Sequence, residues 1–339
     1  MKTYEVQETD PKYEGLVLVE REQPKPSSTE VLIRMQACSL NYRDLAIASG
    51  EMEYPGANLP VIPLSDGAGK VVEVGDDVDR FTEGDRVATP FAPDWIHGKG
   101  TPKELEATTG GTIDGALTQY ATFPANSVSR IPEHFSYKEG ATLTCAGLTA
   151  WRTLAEDGNL EAGETVLVLG TGGVSTFALQ FATMHGARTI VTSSSNEKLN
   201  RARELGAWET INYVDTPEWD EPVQDITGGG VDHIVEVGGP GTLERSIRAV
   251  SQDGHIHLIG ILTGKHGQID PSPVQQKAVK LEGVTGVGSR VMFERMTRAI
   301  EATGMKPIID RSFSFENARD AYHYLENGAH QGKVIVTVD

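Results

Sequence analysis

The stretch from Thr165 to Ser175 constrains this chain most. Thr165-Val166-Leu167-Val168-Leu169 is a buried-strand run. Gly170-Thr171-Gly172-Gly173-Val174-Ser175 follows it directly and opens an expected helix from Ser175 to His185. Strand, glycine-rich turn and helix in that order are the context that dinucleotide binding requires. The first glycines allow a tight turn and let the backbone approach a pyrophosphate, whose charge the helix N-terminus favours. The third glycine of the fingerprint is replaced by Ser175, small enough to pack near the sheet.

The same rhythm repeats downstream. Thr189-Ile190-Val191-Thr192 precedes a helix expected from Glu197 to Leu205, and strands are expected at His233–Val237 and His255–Ile259. Strands alternating with helices imply parallel βαβ units and a doubly wound sheet. Before Pro132 the pattern differs. Leu16–Val19, Val31–Met35 and Gly69–Val74 read as short strands broken by Gly and Pro, a compact and mainly β module. From about 290 a helix, a second helix at Phe315–Leu325 and a last strand at Val334–Val338 close the chain. The fold class is therefore α/β with a separate mainly-β module, and 339 residues suffice for about two domains.

The end of the second strand discriminates between cofactors. An acidic residue there would bond a ribose 2′-hydroxyl. The strand instead ends in Thr192-Ser193-Ser194-Ser195-Asn196, with Lys198 just beyond. Hydroxyls and a cation suit a 2′-phosphate, so NADP(H) is expected. A charge-assisted contact of about 1.5–3 kcal/mol implies a preference over NAD(H) of about tenfold to a hundredfold or more.

Acidic residues number 48 against 30 basic, a net charge of -18. That charge repels nucleic acid and anionic membranes, so neither is an expected partner. Cys38 and Cys145 are too few for a disulfide scaffold or a four-cysteine zinc lobe. Met1-Lys2-Thr3-Tyr4-Glu5 has no apolar run after its lysine, and a cytoplasmic setting is expected.

With these segments in order, the chain resembles the medium-chain dehydrogenase/reductase superfamily, in its zinc-independent, quinone-oxidoreductase-like branch. The matching segments include Ser39-Leu40-Asn41-Tyr42-Arg43-Asp44, Pro63–Gly69 with Val71–Gly75, Gly84-Asp85-Arg86-Val87 and Cys145–Trp151. The nucleotide loop, Leu205-Gly206-Ala207 with Ile211-Asn212-Tyr213, and Gly332-Lys333-Val334-Ile335 complete them. The resemblance implies a GroES-like catalytic domain at 1–132 and 290–339 around a Rossmann domain at 133–289, a cleft between the two, and a homodimer. It puts the pyrophosphate on Thr171, Gly172, Gly173 and Val174, and the 2′-phosphate on Ser193, Lys198 and Tyr213; Gly170 and Ser194, in the same two loops, are further candidate cofactor residues. Thr149 would lie against the nicotinamide. Gly238, Ile259, Gly260 and Lys333 complete the implied cofactor set.

The departures narrow the chemistry. The family's zinc ligands fall on Asn41, Ser65 and Cys145, with Asp66 at the adjacent acidic position. A catalytic zinc takes three protein ligands, and only the thiol remains. Asp44, the carboxylate that would orient the missing histidine, is expected to brace its loop instead. The structural zinc lobe is replaced by Phe91–Gly115, and the aromatic often found five residues after Asn41 is Ala46 here. Without a metal, the Asn41 amide, the Tyr42 hydroxyl or the Arg43 guanidinium must polarise the acceptor. Asp66 is a candidate proton relay or a loop residue. No tyrosine begins a Tyr-x-x-x-Lys pair.

Hydride transfer to a quinone or an α,β-unsaturated carbonyl, where developing charge spreads, is the expected reaction. Aldehyde–alcohol interconversion, enoyl-thioester reduction and NADPH binding without turnover are the alternatives. Cys145 reads as inert core filler. His255 and His257 share one strand face, and without a third ligand the pair reads as packing.

Overall fold

The computed structural model describes residues 1–50 and 57–338. Two compact units divide the chain, Met1–Leu148 with Gly286–Asp339 and Thr149–Thr285.

In the first unit β1 (Lys2–Val6) and β2 (Leu16–Glu20) form an antiparallel pair. The long β3 (Glu30–Ser39) leads into the helix Tyr42–Ser49, and β4 (Asp66–Val74), β5 (Arg86–Ala88), β6 (Tyr120–Pro124) and β7 (Ser129–Arg130) follow. Side chains alternate along a strand, so Val31, Ile33 and Met35 of β3 share one face, in a core with Tyr4, Leu16, Leu117 and Phe123. Residues 62–64 run beside 115–117: the Gly115, Ala116 and Leu117 N–H groups donate to Ile62, Leu64 and Pro63 carbonyls. Leu64 holds a left-handed φ of 70° there. A Cβ at Gly110 would come within 2.5 Å of the Leu64 backbone, so that close approach demands glycine.

The first unit runs on to Leu148, past the change of rhythm near Pro132. Ser136 caps the helix Tyr137–Ala141 in a reciprocal box: its hydroxyl accepts from the Glu139 N–H and its own N–H donates to the Glu139 carboxylate. This helix and the π-helical turn Leu143–Gly147 pack on the sheet, and Thr144 Oγ1 donates to the Thr89 carbonyl. Those contacts hold residues 133–148 to the first unit.

The second unit contains β8 (Thr165–Leu169), β9 (Arg188–Ser193), β10 (Glu209–Asn212), β11 (Val231–Glu236), β12 (Val250–Leu258) and β13 (Lys280–Gly283). Every pairing is parallel, in the order β10-β9-β8-β11-β12-β13. That is the doubly wound nucleotide-binding order, with its switch point at the C-terminal end of β8.

The chain then returns to the first unit. The helix Arg290–Thr303 precedes β14 (Ile309–Ser314), the helix Ala318–Glu326 and β15 (Lys333–Thr337). β15 lies between β14 and β3, pairing Ile335 with Ser39 and Val336 with Cys38. The fold is a GroES-like mainly-β domain and a Rossmann domain. No helix among the described residues is long and apolar enough to cross a membrane.

Candidate active site

Asn41 ends the loop between β3 and the helix Tyr42–Ser49, as that helix's N-cap. Its backbone N–H donates to Asp44 Oδ2 at 2.7 Å, so Asp44 braces the turn as expected. The Leu40 N–H donates to the Val334 carbonyl, which brings β15 alongside. Lys333, first residue of β15, thereby has its ammonium inside the loop. It donates to the Leu40 carbonyl at 2.6 Å and to Asn41 Oδ1 at 2.5 Å, and lies 3.7 Å from Asp66 Oδ2. Lys333 is 2% exposed and Asp66 fully buried. Expected among the cofactor residues, Lys333 instead commits its charge to the vacated ligand positions of its own unit.

Ser65 donates from Oγ to Asp66 Oδ1 at 2.8 Å, and its carbonyl accepts from Thr89 Oγ1. Burial, reinforced by the Asp66 charge, pushes the Cys145 thiol up to about 12, so this group is a neutral thiol. Asp44 is also buried, which raises its carboxyl to about 6 against the opposing Arg43 guanidinium. Arg43, a sequence-level candidate donor, is buried: Nη1 donates to the Thr109 carbonyl, and the guanidinium lies over the Phe91 ring at 4.7 Å. Those contacts give it a structural task. Tyr42 is half-exposed, whereas Trp95 is core, its indole donating to the Gly98 carbonyl.

In the second unit Gly170 has a φ of 73°, which lets the chain turn off β8. Ser175 Oγ donates to the Leu169 carbonyl at 2.7 Å, so the serine at the third fingerprint position ties the helix back to its strand. The helix Gly173–Met184 has Gly172 as N-cap and no capping side chain. A Cβ added at Gly172 would meet no atom within 4 Å. An uncapped helix N-terminus facing open space fits a pyrophosphate.

β9 ends at Ser193, whose carbonyl accepts from the Tyr213 N–H. Its hydroxyl accepts from the Ser195 N–H, which leaves the hydroxyl proton to donate. Ser195 is consumed as N-cap of the helix Asn196–Glu204, accepting from the Lys198 N–H, while Ser194 and Tyr213 are exposed. Gly238 and Gly260 have packing reasons of their own. A Cβ at either would come within 2.4 Å of Thr242 Oγ1 or the Val237 carbonyl oxygen, respectively.

Residues 27–133 match the alcohol dehydrogenase GroES-like domain family and residues 173–302 the zinc-binding dehydrogenase family. A zinc-type alcohol dehydrogenase-like protein of Schizosaccharomyces pombe is 44% identical over 91% of both chains. The chain is a medium-chain dehydrogenase/reductase. Human quinone oxidoreductase is 29% identical over 92% of this chain and 90% of its own length. A crystal structure of a candidate alcohol dehydrogenase of Sinorhizobium meliloti 1021 superposes with a TM-score of 0.92, at 39% identity, covering 99% of this chain and 98% of that one. This medium-chain dehydrogenase/reductase is thus an oxidoreductase of a family that binds nicotinamide cofactors.

Two features of this medium-chain dehydrogenase/reductase escape sequence reasoning. One is the Lys333–Asn41 contact. The other is Glu236, fully buried at the end of β11, whose carboxylate accepts from the Gly238 and Gly239 N–H groups and the Thr242 and Ser246 hydroxyls. Glu236 organises the loop carrying Gly238. Its acidic type beside a Gly-Gly turn is the one signal a sequence offers.

Proposed function

We propose that this chain reduces quinones or α,β-unsaturated carbonyls with NADPH and without a catalytic zinc ion. One observation carries the reading: the Lys333 ammonium lies among the vacated ligand positions, 2.5 Å from Asn41 Oδ1 and 3.7 Å from Asp66 Oδ2. The donor set there is an amide, a hydroxyl and a thiol held protonated to about 12. A dication would meet the ammonium's repulsion, and a thiolate ligand would form only after losing its proton. These residues do not fit zinc.

Lysine donates and cannot accept, so Asn41 must turn Oδ1 toward it. Asn41 Nδ2 is left buried with no hydrogen-bond partner among the described residues. A buried donor left unmade is costly, and a substrate oxygen would satisfy it. NADPH, when bound, would supply a hydride. On an acceptor carbon that took it, negative charge would move onto oxygen, where the Asn41 N–H would donate; water would then supply the proton. Lys333 is a positioning residue that fixes and polarises the amide. Conjugated acceptors need least from such a single neutral donor, because their charge is already spread.

NADPH is favoured over NADH by the end of β9, where the Ser193 hydroxyl, exposed Ser194 and Lys198 stand where a carboxylate would select the ribose hydroxyl. The test is NADPH and NADH oxidation with a simple quinone, with and without a chelator. Fast, chelator-resistant oxidation favouring NADPH is expected. Alcohol-dependent NADP⁺ reduction outpacing quinone reduction would select the aldehyde–alcohol chemistry that the fission-yeast relative's name favours.

A further inference from the structure

His233 lies on β11, and His255 and His257 lie on the neighbouring β12. The parallel register pairs His233 with His255 and Val235 with His257, so all three imidazoles emerge on one face of the Rossmann sheet. All three are buried, and one nitrogen from each falls within 4.8 Å of the others. The third ligand that the His-x-His pair lacks in sequence is supplied by the adjacent strand.

We propose that His233, His255 and His257 form a binding site for a divalent transition metal of the zinc class, separate from the oxidoreductase centre. His233 Nδ1 and His257 Nε2 stand 3.3 Å apart. Two nitrogens bound at about 2.0–2.1 Å to a tetrahedral ion are separated by roughly that distance. The His255 ring lies against His257, with centroids 3.7 Å apart.

Carboxylates stand behind two of the ligands. His233 Nε2 is 3.2 Å from Glu164 Oε2, and His255 Nε2 is 3.0 Å from Glu282 Oε2. Carboxylates in that place fix the tautomer of metal-bound imidazoles and raise their basicity. This arrangement assigns His233 Nδ1, His255 Nδ1 and His257 Nε2 as ligands. Glu164 and Glu282 are each about one-third exposed, at 33% and 34%, which gives an ion a route in.

The metal-free arrangement leaves His257 Nδ1 buried with no hydrogen-bond partner among the described residues, and His255 Nε2 and Glu282 Oε2, though 3.0 Å apart, make no hydrogen bond. Packing alone would be better served by aliphatic side chains like Val166 and Ile234 beside them. Burial also keeps His255 and His257 uncharged at neutral pH, as metal ligands must be. The ion would cross-link β11 to β12 beneath the segment at Gly158, whose Cβ, if present, would lie 3.3 Å from His257 Cε1. Three imidazole ligands suit zinc, cobalt, nickel or copper and not magnesium or calcium.

The test uses the full-length protein without a polyhistidine tag, stripped with chelator and titrated with cobalt(II). One equivalent should give the visible bands of a low-coordinate cobalt site, and zinc should displace them. The melting temperature should rise with zinc concentration, as for any ligand of the folded state. His255→Gln should abolish both effects, and Cys145→Ser should preserve both. Absence of the bands in wild type, or bands kept by His255→Gln and lost in Cys145→Ser, would overturn the proposal. Should His255→Gln fail to fold, X-ray absorption on the wild-type cobalt protein decides: imidazole scatterers without sulfur support the site, and a sulfur ligand refutes it.

Discussion

Lys333 and Asn41 stand 292 residues apart in sequence and 2.5 Å apart in space, ammonium nitrogen to amide oxygen. That contact orients the amide, so the two halves of the Asn41 side chain have separate tasks. Asn41→Asp keeps an acceptor for Lys333 and deletes the donor. Turnover with a quinone should fall about a hundredfold, with the melting temperature and the NADPH dissociation constant little changed. Unaltered kcat would remove the amide from the chemistry.

Lys333→Met leaves Asp66 buried without its cation. Removing one partner of a buried pair costs about 3–5 kcal/mol, to be measured by urea denaturation. The double variant Lys333→Met/Asp66→Asn should recover much of that loss. Equal instability of single and double variants would mean that the two charges, 3.7 Å apart, are not coupled.

Lys198→Ala should raise the NADPH dissociation constant about tenfold to a hundredfold and leave that for NADH nearly unchanged. Titration of cofactor fluorescence reads both. A parallel loss for the two cofactors would place the lysine away from the 2′-phosphate.

Gly172→Ala separates folding from binding. Its φ of -74° is open to alanine, and the added methyl meets no atom within 4 Å. Stability without cofactor should change by no more than about 1 kcal/mol. NADPH affinity should drop at least about tenfold, because the methyl projects where the pyrophosphate approaches the backbone. Full affinity in the variant would move the phosphates elsewhere.

Asp44 titrates against the fold. Its carboxyl is raised from 3.8 to about 6, so between those values the folded chain holds a proton the unfolded chain has released. Stability from this group is therefore greatest below about pH 4, falls as pH rises toward 6, and stays low above. Asp44→Asn keeps an acceptor for the Asn41 N–H and removes the titration. Its stability relative to wild type should grow by about 3 kcal/mol between pH 4 and 7. A difference independent of pH would show that Asp44 keeps its charge in the folded state.

The strand–loop–helix at Thr165–Met184 was legible because its signals, an apolar run, a glycine-rich turn and a serine that ties the helix back to the strand, are local. The serine-rich end of β9 was legible as to residue type. The capping task of Ser195 depends on where the next helix starts, and sequence alone does not fix that. Lys333 was legible as part of a motif and not as a neighbour of Asn41, because that contact requires β15 to dock on β3. His233 is not legible as a neighbour of His255 for the same reason: only the register of β11 on β12 sets the two side by side. Local signals carried the nucleotide loop, and long-range pairing decided the rest.

Asn41 follows β3, and the cation that orients it opens β15, the strand lying between β14 and β3. Without β15 the sheet would lose the strand that joins β14 to β3, together with the ammonium that fixes the Asn41 amide. Formation of this sheet and orientation of the amide are thus a single event, within a unit distinct from the one that holds the Rossmann sheet.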